Sequence, residues 1–321
     1  SQKVAAPFPR LKYAEAMERY GCDAPDLRFG LTIRDISDLA SETTFQVFRD
    51  VVAQEGGKVR GLCVPGGGSF TRKQLDELTQ FVGQFGAKGL AWFRVEQHVL
   101  NSPIAKFFPP AAQQKLRERM DAKPGDLLLF VADQYAATHQ PLSELRKRLG
   151  KQLGLVKDGE FNLSWVVEFP LLEKDKETGK LVACHHPFTS PRLEDLPILE
   201  EKPLAVKARA YDLVLNGVEL GGGSIRIHDE ETQSRVFRLL DIDEASARAK
   251  FGFLLDALRF GAPPHGGIAL GLDRMVMLLL GLDNISECIA FPKTQRAACL
   301  MTDAPSPVDE QQLKELGLRL R

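Results

Sequence analysis

The spacing of apolar residues changes several times along the chain, and each change marks an element. Tyr13 to Tyr20 reads as a short helix after an extended Pro7-Phe8-Pro9, closed by Gly21 just past its last turn. Lys58 to Val64, Gly89 to Val95 and Asp126 to Val131 are strand-like, and the first is broken by Pro65 and three glycines. Between them, Thr71 to Gln84 puts Leu75, Leu78, Phe81 and Val82 on one helical stripe, and Ala111 to Met120 is a more polar helix. Phe29 to Asp133 therefore reads as a separate α+β unit. In a helix from Ser143 to Gly154, Leu142, Leu145, Leu149 and Leu153 mark one side. Arg146, Lys147, Arg148 and Lys151 are assigned to the other, a solvated face in preference to one that meets RNA phosphates. Phe161 to Phe169 is a strand, and an acidic loop follows from Glu173 to Lys180. A helix spans Asp229 to Leu240. Asp241 and Glu244 have capping-box spacing ahead of a core helix carrying Phe251, Leu254, Leu255 and Leu258, closed by Gly261. From Gly266 an apolar strand turns at Gly271 into an apolar helix through Leu280.

Within this pattern, Lys207 to His228 stands apart as two alternating runs around Asn216-Gly217, a strong signal for a two-residue hairpin turn. Such a turn sets Leu215 against Val218, Val214 against Glu219 and Asp212 against Gly221. Asp212 and Glu219 then share a face as diagonal neighbours, roughly 7–8 Å apart at Cα. Like charges so placed repel unless a cation lies between them. A solvated sheet face is the plain alternative. Strict alternation sends Arg226 to the opposite face from Glu219, so a common pocket requires a break in step, expected within Gly221-Gly222-Gly223.

Composition narrows the choices. The 321 residues are 44% hydrophobic and 26% charged, with 42 basic against 43 acidic residues and a net charge of −1. These proportions are ordinary for a soluble globular protein, and contact with nucleic acid would need a local patch rather than a basic field. Five cysteines without a C-x-x-C pair argue against a zinc site or a disulfide framework and for a reducing cytosol. No apolar run reaches a membrane-spanning length, and no signal peptide opens the chain. The first residue is Ser, so the chain is expected to be processed or to begin partway through a longer protein. Pro65 to Ser69 with Lys73 lacks phosphate-loop spacing and reads as a strand-to-helix turn. His185 and His186 are adjacent in an extended stretch, so only one of them can face a given pocket. Asp273 and Arg274 sit where a glycine-entered helix offers free N–H groups to an anion. The plain alternative has Asp273 capping that helix and Arg274 pairing with it.

Several of these stretches resemble one family. Residues 267–281, GIALGLDRMVMLLLG, look like motif 3 of class II aminoacyl-tRNA synthetases. HHPFTSP at 185–191, YDLVLNGVELGGGSIRIH at 211–228, KFGFLLDALRFGAPPHGG at 250–267 and AFPKT at 290–294 resemble the bacterial type of aspartyl-tRNA synthetase, as do PFPRLKYAEAMERYG at 7–21 and PDLR at 25–28. Residues 29–138 resemble the GAD domain inserted in that family. The resemblance implies an α+β fold, an antiparallel sheet flanked by helices. Segment 1–28 would belong to the catalytic core, 29–138 to the insertion, and 139–321 to the C-terminal part of the core. It implies an aspartate–tRNA ligase using ATP and Mg²⁺ to make aspartyl-adenylate and charge tRNA(Asp), with tRNA(Asn) as a further substrate in some members. Carried over by position, His185 and Arg226 bind L-aspartate; Glu219, Gly271, Leu272, Asp273 and Arg274 contact ATP; Asp212 and Glu219 hold the metal. The family's anticodon-binding domain and motifs 1 and 2 have no counterpart in this sequence. Efficient adenylate formation by this chain alone is therefore not expected, and the family homodimer is set in doubt. A non-catalytic tRNA- or protein-binding fragment is the alternative.

Overall fold

Two five-stranded sheets organise the chain up to Ala269, and Leu270 to Arg321 forms a second compact unit. The computed structural model describes residues 6–157 and 159–319, so Ser1 lies outside the described residues.

The strands are β1 (Arg10–Lys12), β2 (Arg34–Asp35), β3 (Gly57–Val64), β4 (Ala91–Val95), β5 (Leu100–Asn101), β6 (Leu127–Gln134), β7 (Leu163–Val167), β8 (Leu172–Lys174), β9 (Leu181–Ala183), β10 (Ala210–Leu215), β11 (Val218–Ile225) and β12 (Gly266–Leu270). The helices are α1 (Tyr13–Tyr20), α2 (Ser37–Ser41), α3 (Gln46–Val52), α4 (Arg72–Gly83), α5 (Pro110–Met120), α6 (Tyr135–Gln152), α7 (Glu230–Leu239), α8 (Glu244–Arg259), α9 (Leu272–Leu279) and α10 (Glu310–Glu315).

The first sheet has the order β1-β7-β10-β11-β12. The resemblance implies an antiparallel sheet, and β7-β10 and β10-β11 pair that way, but β1 lies parallel to β7, with Leu11 opposite Val166. Parallel neighbours need a long connection. Here the whole second sheet, ordered β2-β3-β6-β4-β5 and paired antiparallel throughout, fills it. The near-continuous apolar run of β6, Leu127 to Val131, is explained by burial on both faces. Leu62, Val64, Leu127 and Leu129 pack with α4 and α6; Val59, Phe93, Leu128 and Phe130 pack with residues of α2, α3 and α5.

Two arginines tie α1 and the segment after it to this layer. Arg60 on β3 is fully buried; its guanidinium donates to the carbonyls of Met17 (3.1 Å) and Glu18 and to Thr138 Oγ1 (3.0 Å), and lies over the Tyr135 ring. Carbonyls at the end of α1 are the helix's negative pole, so a cation belongs there. Arg146 on α6 is 1% exposed and donates to the carbonyls of Asp26 (2.7 Å), Phe29 (2.9 Å) and Leu31. The expected solvated position of Arg146 is thus corrected. Carbonyls with no helical or sheet partner supply what makes a buried guanidinium tolerable.

Three further expectations change. Helix α6 begins at Tyr135, not Ser143, and carries Pro141 inside, buried beside Thr138. The acidic loop is a small hairpin, β8 paired with β9 around a turn held by Asp175 Oδ1. Asp243 rather than Asp241 caps α8, accepting from Ser246 N at 2.8 Å; Asp241 has φ 59° after α7 and pairs with Lys180 at 2.7 Å. Helix α8 also departs from helical geometry at Phe251, and Phe253 is 81% exposed.

In the second unit, α9 and α10 flank a stretch with isolated bridges from Cys299 to Lys293 and Ala304, and no described residue from Leu270 onward is buried. Among the described residues no helix is long and apolar enough to cross a membrane.

Candidate functional site

The hairpin turns at Asn216 (φ 53°) and Gly217 (φ 82°), both in the left-handed region that a type I′ turn demands. Asn216 is also fixed by its side chain, which accepts from Asn162 N and donates to Glu160 O, both at 2.8 Å. Gly217 backs closely onto Asp26: a Cβ there would stand 2.9 Å from Asp26 Cβ. The 22–28 loop is thereby held against the hairpin, and Arg28 clamps Asp26 from the other side at 2.7 Å.

Leu215 faces Val218 and Val214 faces Glu219, as the turn dictates, but Asp212 faces Gly222 rather than Gly221. The register slips between Leu213 and Val214, leaving Leu220 as the extra residue of a β-bulge. The irregularity thus precedes the three glycines instead of falling among them. Its effect on alternation is that Glu219, Gly222, Ser224 and Arg226 follow one face, with Asp212 and Val214 opposite them on β10. Contacts agree with this parity. A Cβ at Gly222 would meet Asp212 Oδ1 at 2.4 Å and Glu219 Oε1 at 3.2 Å. The two carboxylates therefore converge over a position kept clear by glycine. On the opposite face, Tyr211 packs near Trp165 and bonds Gly267 O at 3.1 Å.

Asp212 accepts no hydrogen bond among the described residues, and burial, then Glu219, then Asp23 push its carboxyl up to about 7. Val166 and Val214 on the same face are fully buried, so Asp212 stands where the core gives way to the patch.

His185 lies edge-on to Phe169, ring centroids 4.6 Å apart. Burial lowers its pKa, opposed by the negative charges of Asp23, Glu219 and Glu173. His186 is lowered by burial and by the Arg226 cation instead, and its Nδ1 accepts from Phe188 N at 3.3 Å. The adjacent histidines thus face different company: His185 the carboxylates, His186 the guanidinium. Fully buried Gln233 on α7 pins their loop by donating to Pro187 O at 2.9 Å.

Arg226 follows the last residue of β11, with its N–H on His265 O at 2.9 Å and Nη1 on Ser224 Oγ at 2.8 Å. Among the described residues that is the guanidinium's one hydrogen bond, so most of its donor fork is available to a ligand.

In the second unit, α9 opens at Gly271 in extended conformation, and no side-chain hydrogen bond caps it. Asp273 therefore does not cap the helix. Leu272, Asp273 and Arg274 form its first turn, where backbone N–H groups point out of the helix.

Sequence reasoning missed Leu220, Ser224, Thr189 and Asp23. The first leaves no trace in an alternating pattern. Ser224, two residues from Arg226 on the same strand face, was accessible to the period-2 rule. Among the described residues no group of three or more His, Cys, Asp or Glu side chains is placed to hold a metal, so any ion here rests on two carboxylates and its ligand. A cavity of about 370 Å³ lies elsewhere, near Arg34, Cys63 and Lys123, and none of the expected site residues lines it.

Comparison with known proteins follows the same lines. Residues 1–295 match the family of class II tRNA synthetases (D, K and N). An aspartate–tRNA(Asp/Asn) ligase of Rhodopirellula baltica is 59% identical over 319 residues, which cover 98% of this chain and 54% of the relative. That of Natranaerobius thermophilus is 54% identical over 317 residues, covering 99% and 54%. A solved aspartyl-tRNA synthetase from Entamoeba histolytica is similar at 25% identity and a TM-score of 0.34, over 48% of this chain and 26% of its own. The chain spans about half the length of the curated relatives it matches.

Proposed function

We infer function from the premise that this chain belongs to the class II tRNA synthetases of the D, K and N family. We propose that it carries part of the aspartate-activating site of a cytoplasmic aspartate–tRNA ligase, which charges tRNA(Asp) and, as the names of its relatives indicate, tRNA(Asn). Residues 1–28 and 139–321 would then be core segments and 29–138 the GAD insertion. The observation that carries this reading is the bulge at Leu220, which adds Arg226 to the sheet face that Asp212 and Glu219 share.

Arg226 takes the side-chain carboxylate of L-aspartate on its open fork. An asparagine amide would turn NH₂ toward the cation, so the fork selects the acid. His185, whose pKa is lowered by burial, borders the amino acid. Asp212 and Glu219 fit a hard divalent cation, because two converging carboxylates, one of them without a hydrogen bond, call for positive charge. When bound, Mg²⁺ neutralises phosphate oxygens of ATP. Gly271, Leu272, Asp273 and Arg274 offer backbone N–H groups and a guanidinium to the nucleotide. The aspartate α-carboxylate attacks the α-phosphorus in line, pyrophosphate leaves, and the aspartyl group passes to the terminal ribose of tRNA. The residues act by placement and charge neutralisation.

Calorimetric titration tests the assignment. Mg·ATP binding should fall at least tenfold in Asp212→Asn and Glu219→Gln, and L-aspartate binding should be lost in Arg226→Ala. Unchanged affinities in all three variants would refute it, as would aspartate-dependent ATP–pyrophosphate exchange that survives them.

A further inference from the structure

We propose that Ser224 is a positioning residue that sets the plane of the Arg226 guanidinium, with Thr189 as its support. The proposal rests on the reading of Arg226 as the carboxylate clamp. An arginine side chain is long and rotamer-rich, and bidentate recognition works only if the plane of its fork is fixed beforehand. Backbone pairing cannot do this: the bond from Arg226 N to His265 O and the bridge to Thr189 fix the Cα and leave the side-chain torsions open. The group that reaches the guanidinium is Ser224 Oγ, 2.8 Å from Nη1.

Ser224 is 3% exposed, so water competes poorly for its oxygen. A second hydroxyl lies close to it. Thr189 Oγ1 donates to Ser224 Oγ at 3.4 Å, and Thr189 is itself 2% exposed. The guanidinium can only donate, so toward Arg226 the Ser224 oxygen is an acceptor, with Thr189 beside it on the other side of the bridge. Ser190 N on Ile225 O and Ile225 N on Arg209 O, both at 2.9 Å, hold the strands on either side. The hydroxyl is thus a fixed acceptor that engages one end of the fork and leaves the rest to the ligand. The bulge at Leu220 makes the arrangement available, since it carries Ser224 and Arg226 to the face of Glu219 together.

Ser224→Ala removes the acceptor and a single oxygen from the fold. Losing a hydrogen bond to a charged group should weaken L-aspartate binding about tenfold to a hundredfold. Discrimination against L-asparagine should shrink, and Mg·ATP affinity should stay within twofold of wild type. Thr189→Val should move aspartate affinity the same way by less. Arginine side-chain ¹⁵N NMR gives a ligand-free reading: Ser224→Ala should speed rotation about the Arg226 Cζ–Nη bonds. Wild-type affinity, discrimination and rotation in Ser224→Ala, with aspartate binding lost in Arg226→Ala, would overturn the positioning role alone. Failure of the wild-type chain to bind L-aspartate would overturn the clamp reading, and the NMR comparison would still decide whether Ser224 orients the guanidinium.

Discussion

Gly222 shows what a missing side chain can do. Its Cβ position falls 2.4 Å from Asp212 Oδ1, and that oxygen is the end of a movable side chain rather than backbone. Gly222→Ala should therefore keep the hairpin and displace the carboxylate. Severalfold weaker Mn²⁺ binding, read by paramagnetic relaxation of water, with unchanged circular dichroism is the expected outcome. Arg146 makes the opposite case, a long side chain whose loss strands others. Arg146→Met would orphan the carbonyls of Asp26, Phe29 and Leu31 and should cost about 3–5 kcal/mol in urea denaturation, against almost nothing for Lys147→Met. His139 gives a pH dependence. Its Nε2 is buried without a partner, its ring lies edge-on to Tyr135, and burial together with the Arg60 charge holds its pKa down to about 4. A depressed histidine pKa means that the folded state takes up its proton later than the unfolded state. Its stabilising contribution is full above about 6.5 and is lost as pH falls toward 4. Melting temperature should drop less between pH 7 and pH 4.5 in His139→Phe than in wild type.

At the scale of elements, the bulge at Leu220 decides which residues meet. Deleting the unpaired Leu220 should give a regular ladder in which Glu219 and Gly222 stand two residues apart, so that Gly222, Ser224 and Arg226 stay on the face of Glu219. Mg·ATP and L-aspartate binding should both persist, with backbone amides of β10 still protected from exchange; loss of both ligands from a variant so protected would contradict the register. The hairpin itself was legible because Asn-Gly has few other uses between alternating runs. Helix α1 and the helix capped by Thr71 were legible for the same kind of reason, a local stop or start signal. The bulge's position was not, because a one-residue slip is set by what packs on each face, and three glycines in a row offer several places for it. Arg146 was legible and misread. Positions 142, 145, 146 and 149 form one helical stripe, and the charge on Arg146 outweighed the period that placed it inside. The cap at Asp243 was lost to Asp241 because two aspartates stood within reach of one helix start.

At the scale of the molecule, sequence motifs gave the family, while the contact between the first sheet and the segment carrying the second was invisible in them. Strand β1 pairs with β7 across the whole second sheet, and no pattern in Arg10 to Lys12 announces a partner near Trp165. Such an arrangement has a consequence in time. Closing a loop of about 150 residues costs roughly 4–5 kcal/mol in chain entropy before any strand contact repays it. Arg60 and Arg146 bind the end of α1 and the segment after it to β3 and α6, so the two ends of that loop are already near each other once the second sheet has formed. Assembly is therefore ordered: the second sheet first, then the pairing of β1 with β7. Pulse-labelled hydrogen exchange during refolding should show amides of β3 and β6 protected before those of β7 and β10, and Arg60→Met should lengthen the interval. A residue far from the charged patch thus governs how soon after synthesis that patch exists at all.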